Sequence, residues 1–253
     1  MRAILSATLL AAAVLLCGCK VDGGGSFNPT ALGYSTAHTT LNAVYGSITE
    51  LNTMLRLDDY ISAEDEAVRT EIHDKYFYSQ RIVERTAGEW HIISPGNETV
   101  VATGSRPLRE PGARWSCSNT SETVETVIEN MSGDDGESYS LYSEHGKESY
   151  GTLSVMELTV GLTTDTTPVR REVVTVAGRG EVYRYSGDFT FTILAPLTFD
   201  TSKERFTGGR MMMTSVADGV TYSPEAEISE RYITIRGGLD NAYVKDYPYN
   251  GYY

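Results

Sequence analysis

Basic residues are scarce in this chain. Its 253 residues include 21 Lys and Arg against 34 Asp and Glu, a formal net charge of −13. That balance argues against a nucleic-acid partner and against electrostatic docking on anionic lipid. Cysteine is scarcer, with three residues, at 17, 19 and 117. Three are too few for a disulfide framework, and a chain of this length buries enough surface to need none. The four histidines, His38, His73, His91 and His145, lie far apart and outside any His-Glu-x-x-His or paired-His spacing. Glu71 and Asp74 sit one turn apart with His73 on another face, which reads as a solvated helix. Asp134-Asp135-Gly136-Glu137 lacks the alternating ligand spacing of a calcium loop and reads as an acidic turn. The Gly-x-Ser-x-Gly elbow, the Ser-x-x-Lys pattern and glycine-rich phosphate loops are missing. Nothing in the sequence points to a metal, a cofactor or a known reaction.

What is present begins at the N-terminus. Arg2 supplies a positive charge, and residues 3–16 form a mostly apolar run. The run suits an export signal and is short for a spanning helix, which needs roughly 20 apolar residues. It ends in Leu16-Cys17-Gly18-Cys19, which resembles the lipobox of bacterial lipoproteins. Leu16 stands three before Cys19, and the small Gly18 just before it. The resemblance implies cleavage between Gly18 and Cys19, a lipid on the Cys19 thiol and an acylated new amino group. Several acyl chains, at about 0.8 kcal/mol per buried methylene, hold a protein firmly at a membrane. Lys20 stands where an Asp would favour the inner membrane, so the resemblance favours the outer membrane, on either side of it. Removing residues 1–18 from the 253 leaves 235, and losing Arg2 takes the net charge from −13 to −14. Cys117 is then the one remaining thiol without a lipid, expected to be buried and inert.

Residues 19–35 read as a flexible tether, with Gly23-Gly24-Gly25 at its centre. Leu41, Val44, Ile48, Leu51 and Leu55 step by three and four and predict a helix over 36–57. Asp58-Asp59-Tyr60 reads as its break. Ser62 with Asp65 three residues on reads as the capping box of a second helix, continued by Val68, Ile72 and Tyr76. The short connection predicts an antiparallel helical hairpin within 36–78. From residue 79 to 253 the period becomes alternating. Strands are expected over 81–86, 89–94, 98–103, 122–131, 138–143, 148–163, 169–177, 181–187, 188–195, 205–216 and 230–236, with 104–114 a loop and Glu144–Lys147 a turn. Met156, Leu158, Val160 and Leu162 share one face, as do Phe189, Phe191 and Ile193, with Thr, Ser, Tyr and Arg opposite. That pattern marks antiparallel sheet with one wet face. The fold expected is α+β, with the N-terminal helical hairpin packed on a large antiparallel β-meander, curved or partly closed.

Two groups of residues suggest binding. Arg106, Arg109 and Arg114 crowd one loop of an acidic chain, and guanidinium forks suit carboxylate or phosphate. The C-terminus is rich in tyrosine: Tyr243, Tyr247, Tyr249, Tyr252 and Tyr253. Tyr247, Tyr249 and Tyr252 are candidates for protein or glycan contact, since tyrosine joins a flat apolar face to a polar tip. Met211-Met212-Met213 places polarizable side chains on both faces of one strand. Asp165-Thr166-Thr167 resembles the short O-glycosylation pattern of Bacteroidota, which would make Thr166 an acceptor. The expected role is a lipid-anchored cell-envelope protein without catalysis, presenting a β-rich domain to a protein or glycan. A carrier of lipid is the second reading, because helices followed by strands resemble the half-open barrels of lipoprotein localisation. A hydrolase with an unrecognised site is the third.

Overall fold

A computed structural model of the chain describes residues 28–96, 99–119, 123–133, 137–147, 152–162, 173–184, 188–217, 220–237 and 243–249. Gly18, Cys19, Thr166 and Tyr252 lie outside them. Among the described residues two helices precede fourteen strands. Helix α1 is Pro29–Ser62 and α2 is Glu66–Tyr76. The strands are β1 (Arg81–Thr86), β2 (Glu89–Ile93), β3 (Thr99–Gly104), β4 (Arg114–Asn119), β5 (Thr123–Asn130), β6 (Ser138–Lys147), β7 (Thr152–Leu162), β8 (Val173–Arg184), β9 (Phe189–Asp200), β10 (Arg205–Ala217), β11 (Val220–Tyr222), β12 (Glu225–Ser229), β13 (Tyr232–Gly237) and β14 (Tyr243–Pro248). They follow chain order in one antiparallel sheet, with β11 as a side branch on β10. The meander is as expected, and the sheet is not closed.

Helix α1 starts seven residues earlier than its apolar stripe predicts, so residues 29–35 are helical rather than tether. Pro29 occupies the first helical position, where its missing N–H costs nothing, and the Asn28 carboxamide accepts from the Ala31 amide at 3.1 Å. The buried stripe continues through small and hydroxylated residues: Thr30, Thr36, Ala37 and Thr40. The Thr36 hydroxyl donates to the Leu32 carbonyl at 3.0 Å and that of Thr40 to the Thr36 carbonyl at 2.9 Å, so neither buries an unmet donor. The helix also runs straight through Asp58-Asp59-Tyr60 to Ser62. The cap of α2 is Asp65 rather than Ser62: its carboxylate accepts from the Ala67 amide at 2.8 Å.

The strand corrections have local causes. Glu144–Lys147 is strand, continuing β6, not a turn. The expected pair 169–177 and 181–187 is one strand, β8, which passes through Gly178 at φ 135. Three strands had no counterpart in the reading. In β4, Trp115 and Cys117 alternate inward between polar neighbours; β11 and β12 are three and five residues long.

The chain forms two compact units. The central unit takes in described residues of 44–150 and 155–176. Its inner rows run across the strands in register, as in Gly104–Trp115–Ile128–Leu141. Gly104 is required there, since a Cβ would stand 2.2 Å from the Trp115 indole nitrogen. The terminal unit takes in described residues of 1–43, 151–154 and 177–253. Its core holds Phe191, Phe206, Met211, Met213, Ile233 and Ile235, with Phe199 edge-on to Phe206 at 5.2 Å. Met212, between the two buried methionines, is half-buried.

Candidate functional site

The arginine loop of the central unit is built into the protein rather than held out to solvent. Asp58 accepts the Leu108 amide at 2.8 Å and the Arg109 amide at 3.1 Å. Its carboxylate also lies 3.6 Å from Arg109 Nε. Asp59 accepts from Arg109 Nη2 at 3.1 Å and stands 3.6 Å from Arg56 Nη1. Both carboxylates are fully buried, and Arg56 lies over the Tyr76 ring at 4.5 Å. Two acids and two guanidiniums thus neutralise one another, which is what burial of charge demands. Burial raises the Asp58 carboxyl above its ordinary range, opposed by the Leu108 amide and by Arg109.

The other two arginines divide differently. Arg106 is exposed, but its Nη2 donates to the Gly112 carbonyl at 2.5 Å, and its own carbonyl accepts the Trp115 indole N–H at 2.8 Å. Arg114 is exposed at the start of β4, opposite Glu129 in register. The three arginines therefore do not converge on one anion site. Asp58 and Asp59 are what the sequence reading missed. Their signal was position, since they fall three and four residues after Leu55 on the same stripe.

A second polar group lies within this unit, along the inner row Ala102–Cys117–Thr126–Ser143. Thr126 donates to Glu50 at 2.5 Å, and Ser47 donates to Ser143 at 3.2 Å. The hydroxyls of Thr126 and Ser143 are 3.3 Å apart. Cys117 is buried, and burial, helped by the Glu50 charge, pushes its thiol up to about 12. A thiol so placed holds its proton at neutral pH and is a poor nucleophile. Among the described residues no three His, Cys, Asp or Glu side chains gather as a metal site. His91 Nε2 stands 2.7 Å from Glu89, and burial lowers His38.

In the terminal unit the tyrosines separate by role. Tyr249 is buried. Tyr247 stacks on Tyr34 with centroids 4.5 Å apart, and its hydroxyl donates to Thr30 at 3.0 Å. These two residues bind the chain to itself. Their neighbours are exposed: Tyr243 is 62% exposed, Val244 56% and Tyr232 47%, while Leu194, Val216 and Val220 are exposed elsewhere in this unit. The first three lie on β13 and β14, and β14 is the last strand of the sheet. Register puts Tyr232 and Val244 on one face of the β13–β14 pair and Tyr243 on the other. The best candidate for a partner's surface is therefore the last strand itself, with an exposed apolar side chain on each face, rather than one apolar patch. The register with β13 was the information the sequence did not carry. No protein-family model, curated protein or solved structure matches the chain.

Proposed function

We propose that the chain is a lipid-anchored protein of the bacterial cell envelope, acting without catalysis and presenting its β-rich region to a partner protein. The lipobox at Leu16–Cys19 supports the anchor, with Cys19 as the lipidated residue and the outer membrane as the favoured site. The observation that carries the interaction role is the exposed last strand, β14, with Tyr243 exposed on one face and Val244, like Tyr232 of β13, exposed on the other. Tyrosine is a preferred anchor in protein interfaces. We also infer that the two helices pair as a hairpin over the apolar sheet face. Tyr60 beside His73 and Phe77, and Arg56 over Tyr76, support the pairing.

The test has two parts. Cys19→Ser should move the protein from the membrane to the soluble fraction; a variant that still sediments with membrane removes the anchor. A photocrosslinking amino acid at position 232 or 243, introduced in cells, should give a discrete protein adduct that the same group at Ser118 does not. Equal labelling at all three positions would refute the interaction role of the last strands. Lipid co-purifying with the soluble form would favour a carrier instead.

A further inference from the structure

Strand β14 offers its outer edge in a specific way. Among the described residues it pairs with β13 alone, from Tyr232↔Pro248 to Gly237↔Tyr243 without a bulge. The Tyr249 amide donates to the Arg231 carbonyl at 2.9 Å, one step beyond that register. Residues 231 and 249 are therefore a hydrogen-bonded pair. By the alternation of an antiparallel ladder, Tyr243, Lys245 and Tyr247 turn their amides and carbonyls toward β13. Val244, Asp246 and Pro248 turn theirs outward. Pro248 has no N–H, and its carbonyl accepts from the Tyr34 hydroxyl at 3.4 Å. The donors and acceptors of Val244 and Asp246 are left facing away from the sheet.

We propose that this edge takes an added strand from a different protein, an extended segment with an acidic residue between a basic and an apolar one. The proposal rests on the interaction reading above and names its mode. A row of outward backbone groups is matched by another strand, and side chains on both faces then set selectivity. Lys245, its ammonium 5.0 Å over the Tyr247 ring, faces the residue that completes a non-hydrogen-bonded pair, where side chains approach closest. An acid fits there. Val244 and Asp246 call for apolar and basic residues on either side of it. A second copy of this chain fits badly. The register that uses Val244 and Asp246 of both copies sets Lys245 directly against Lys245, and like charges so placed repel. The other edge strand, β1, has a register shift between Glu84 and Thr86, whereas β14 pairs without one, and a bulged edge is the poorer template for an added strand.

The probe is the peptide Ser-Thr-Lys-Glu-Val-Thr-Ser, with a control in which Lys and Glu are exchanged. Binding to the soluble protein should be at least tenfold tighter for the first peptide. It should slow hydrogen exchange at the Val244 and Asp246 amides. Val244→Pro removes one outward donor and no bond to β13, so it should abolish binding and leave the β13 amides protected. Lys245→Glu, which changes charge alone, should reverse the preference between the peptides. Unchanged exchange at the two amides in millimolar peptide overturns the proposal, as does an equal response to both peptides. A concentration-dependent dimer lost in Val244→Pro would overturn the choice of occupant. Crosslinks that persist at 232 and 243 when peptide addition fails would discard the strand mode and keep the interaction role of the last strands.

Discussion

The two ends of helix α1 bury themselves by opposite chemistry. In the terminal unit, residues 29–43 offer small and hydroxylated side chains. Gly33 lies so close to Ile235 and Pro224 that a Cβ would stand 2.7 and 3.0 Å from them, and Tyr34 stacks on Tyr247. In the central unit, the later residues bury Arg56, Asp58 and Asp59 and bring Glu50 to Thr126. One end is joined by close approach and the other by matched charge. Close approach depends on shape alone. Matched charge depends on every partner, and a single deletion strands the rest.

The largest expected effect is therefore at Arg109. Arg109→Ala leaves Asp58 and Asp59 without their shared guanidinium inside the protein. Breaking a buried pair costs roughly 3–5 kcal/mol. Arg109 is itself 37% exposed, so water recovers part of that, and a loss of about 3 kcal/mol is expected. Urea unfolding measures it, followed by the near-ultraviolet signal of Trp115, whose indole is tied to the Arg106 carbonyl. A loss below about 0.5 kcal/mol, the scale of a surface pair, would erase the contrast between the two ends.

The matching change at the other end is Gly33→Leu. It fills the space between helix and strand and forces Ile235 aside, at about 2 kcal/mol for an overpacked site. Its cost should be the same at pH 7 and pH 8, because the groups it meets, Ile235 and Pro224, do not titrate and burial keeps His38, beside Tyr34, neutral there. A cost that varies with pH would show that charge reaches this seam as well.

Asp58→Asn gives the contrast a sign. Burial raises the Asp58 carboxyl, so the folded chain holds that proton more tightly than the unfolded chain does. The group's contribution to stability is complete below its ordinary pKa and is lost as pH rises to the raised value. Asparagine keeps the acceptor and lacks the titration. The stability of Asp58→Asn relative to the parent should then climb from about pH 4 upward and level off above the raised pKa. A relative stability that falls over that window would mean the ion pair with Arg109 outweighs burial.

These contrasts also explain what could be read from the sequence. Strand positions followed from alternation, and β1 begins and ends where that pattern placed it, at Arg81 and Thr86. Wherever hydropathy stopped reporting burial, the reading failed. Thr36, Thr40 and Gly33 extend the buried stripe without being apolar. Asp58 and Asp59 look like a helix end because acids are usually solvated, and their partners, Leu108 and Arg109, come some fifty residues later. The arginine loop misled for the same reason, since a guanidinium aimed at a ligand and one aimed at a buried aspartate look alike in one dimension. The tyrosines at 247 and 249 were expected to face a partner and instead meet Tyr34, Thr30 and the core. Register with β13 decides which side chains of β14 are free, and register is a property of pairs of segments.

The smallest expected effect tests the aromatic seam at a single atom. Tyr247→Phe keeps the ring and its stack on Tyr34 while removing the hydroxyl that donates to Thr30. If shape holds this seam, the loss is that of one part-buried hydrogen bond, about 0.5–1 kcal/mol. Thr30→Val has a cost of its own, because the Thr30 hydroxyl also donates to Asn28 Oδ1 at 2.9 Å, but it should cost less when added to Tyr247→Phe than when made alone. A double-mutant cycle measures this, and the coupling should account for most of the single loss. A Tyr247→Phe cost near that of Arg109→Ala would mean the hydroxyl, not the ring, fixes the start of α1 against β14. In that case both ends of the helix would be polar junctions, and the close approach at Gly33 would follow from them.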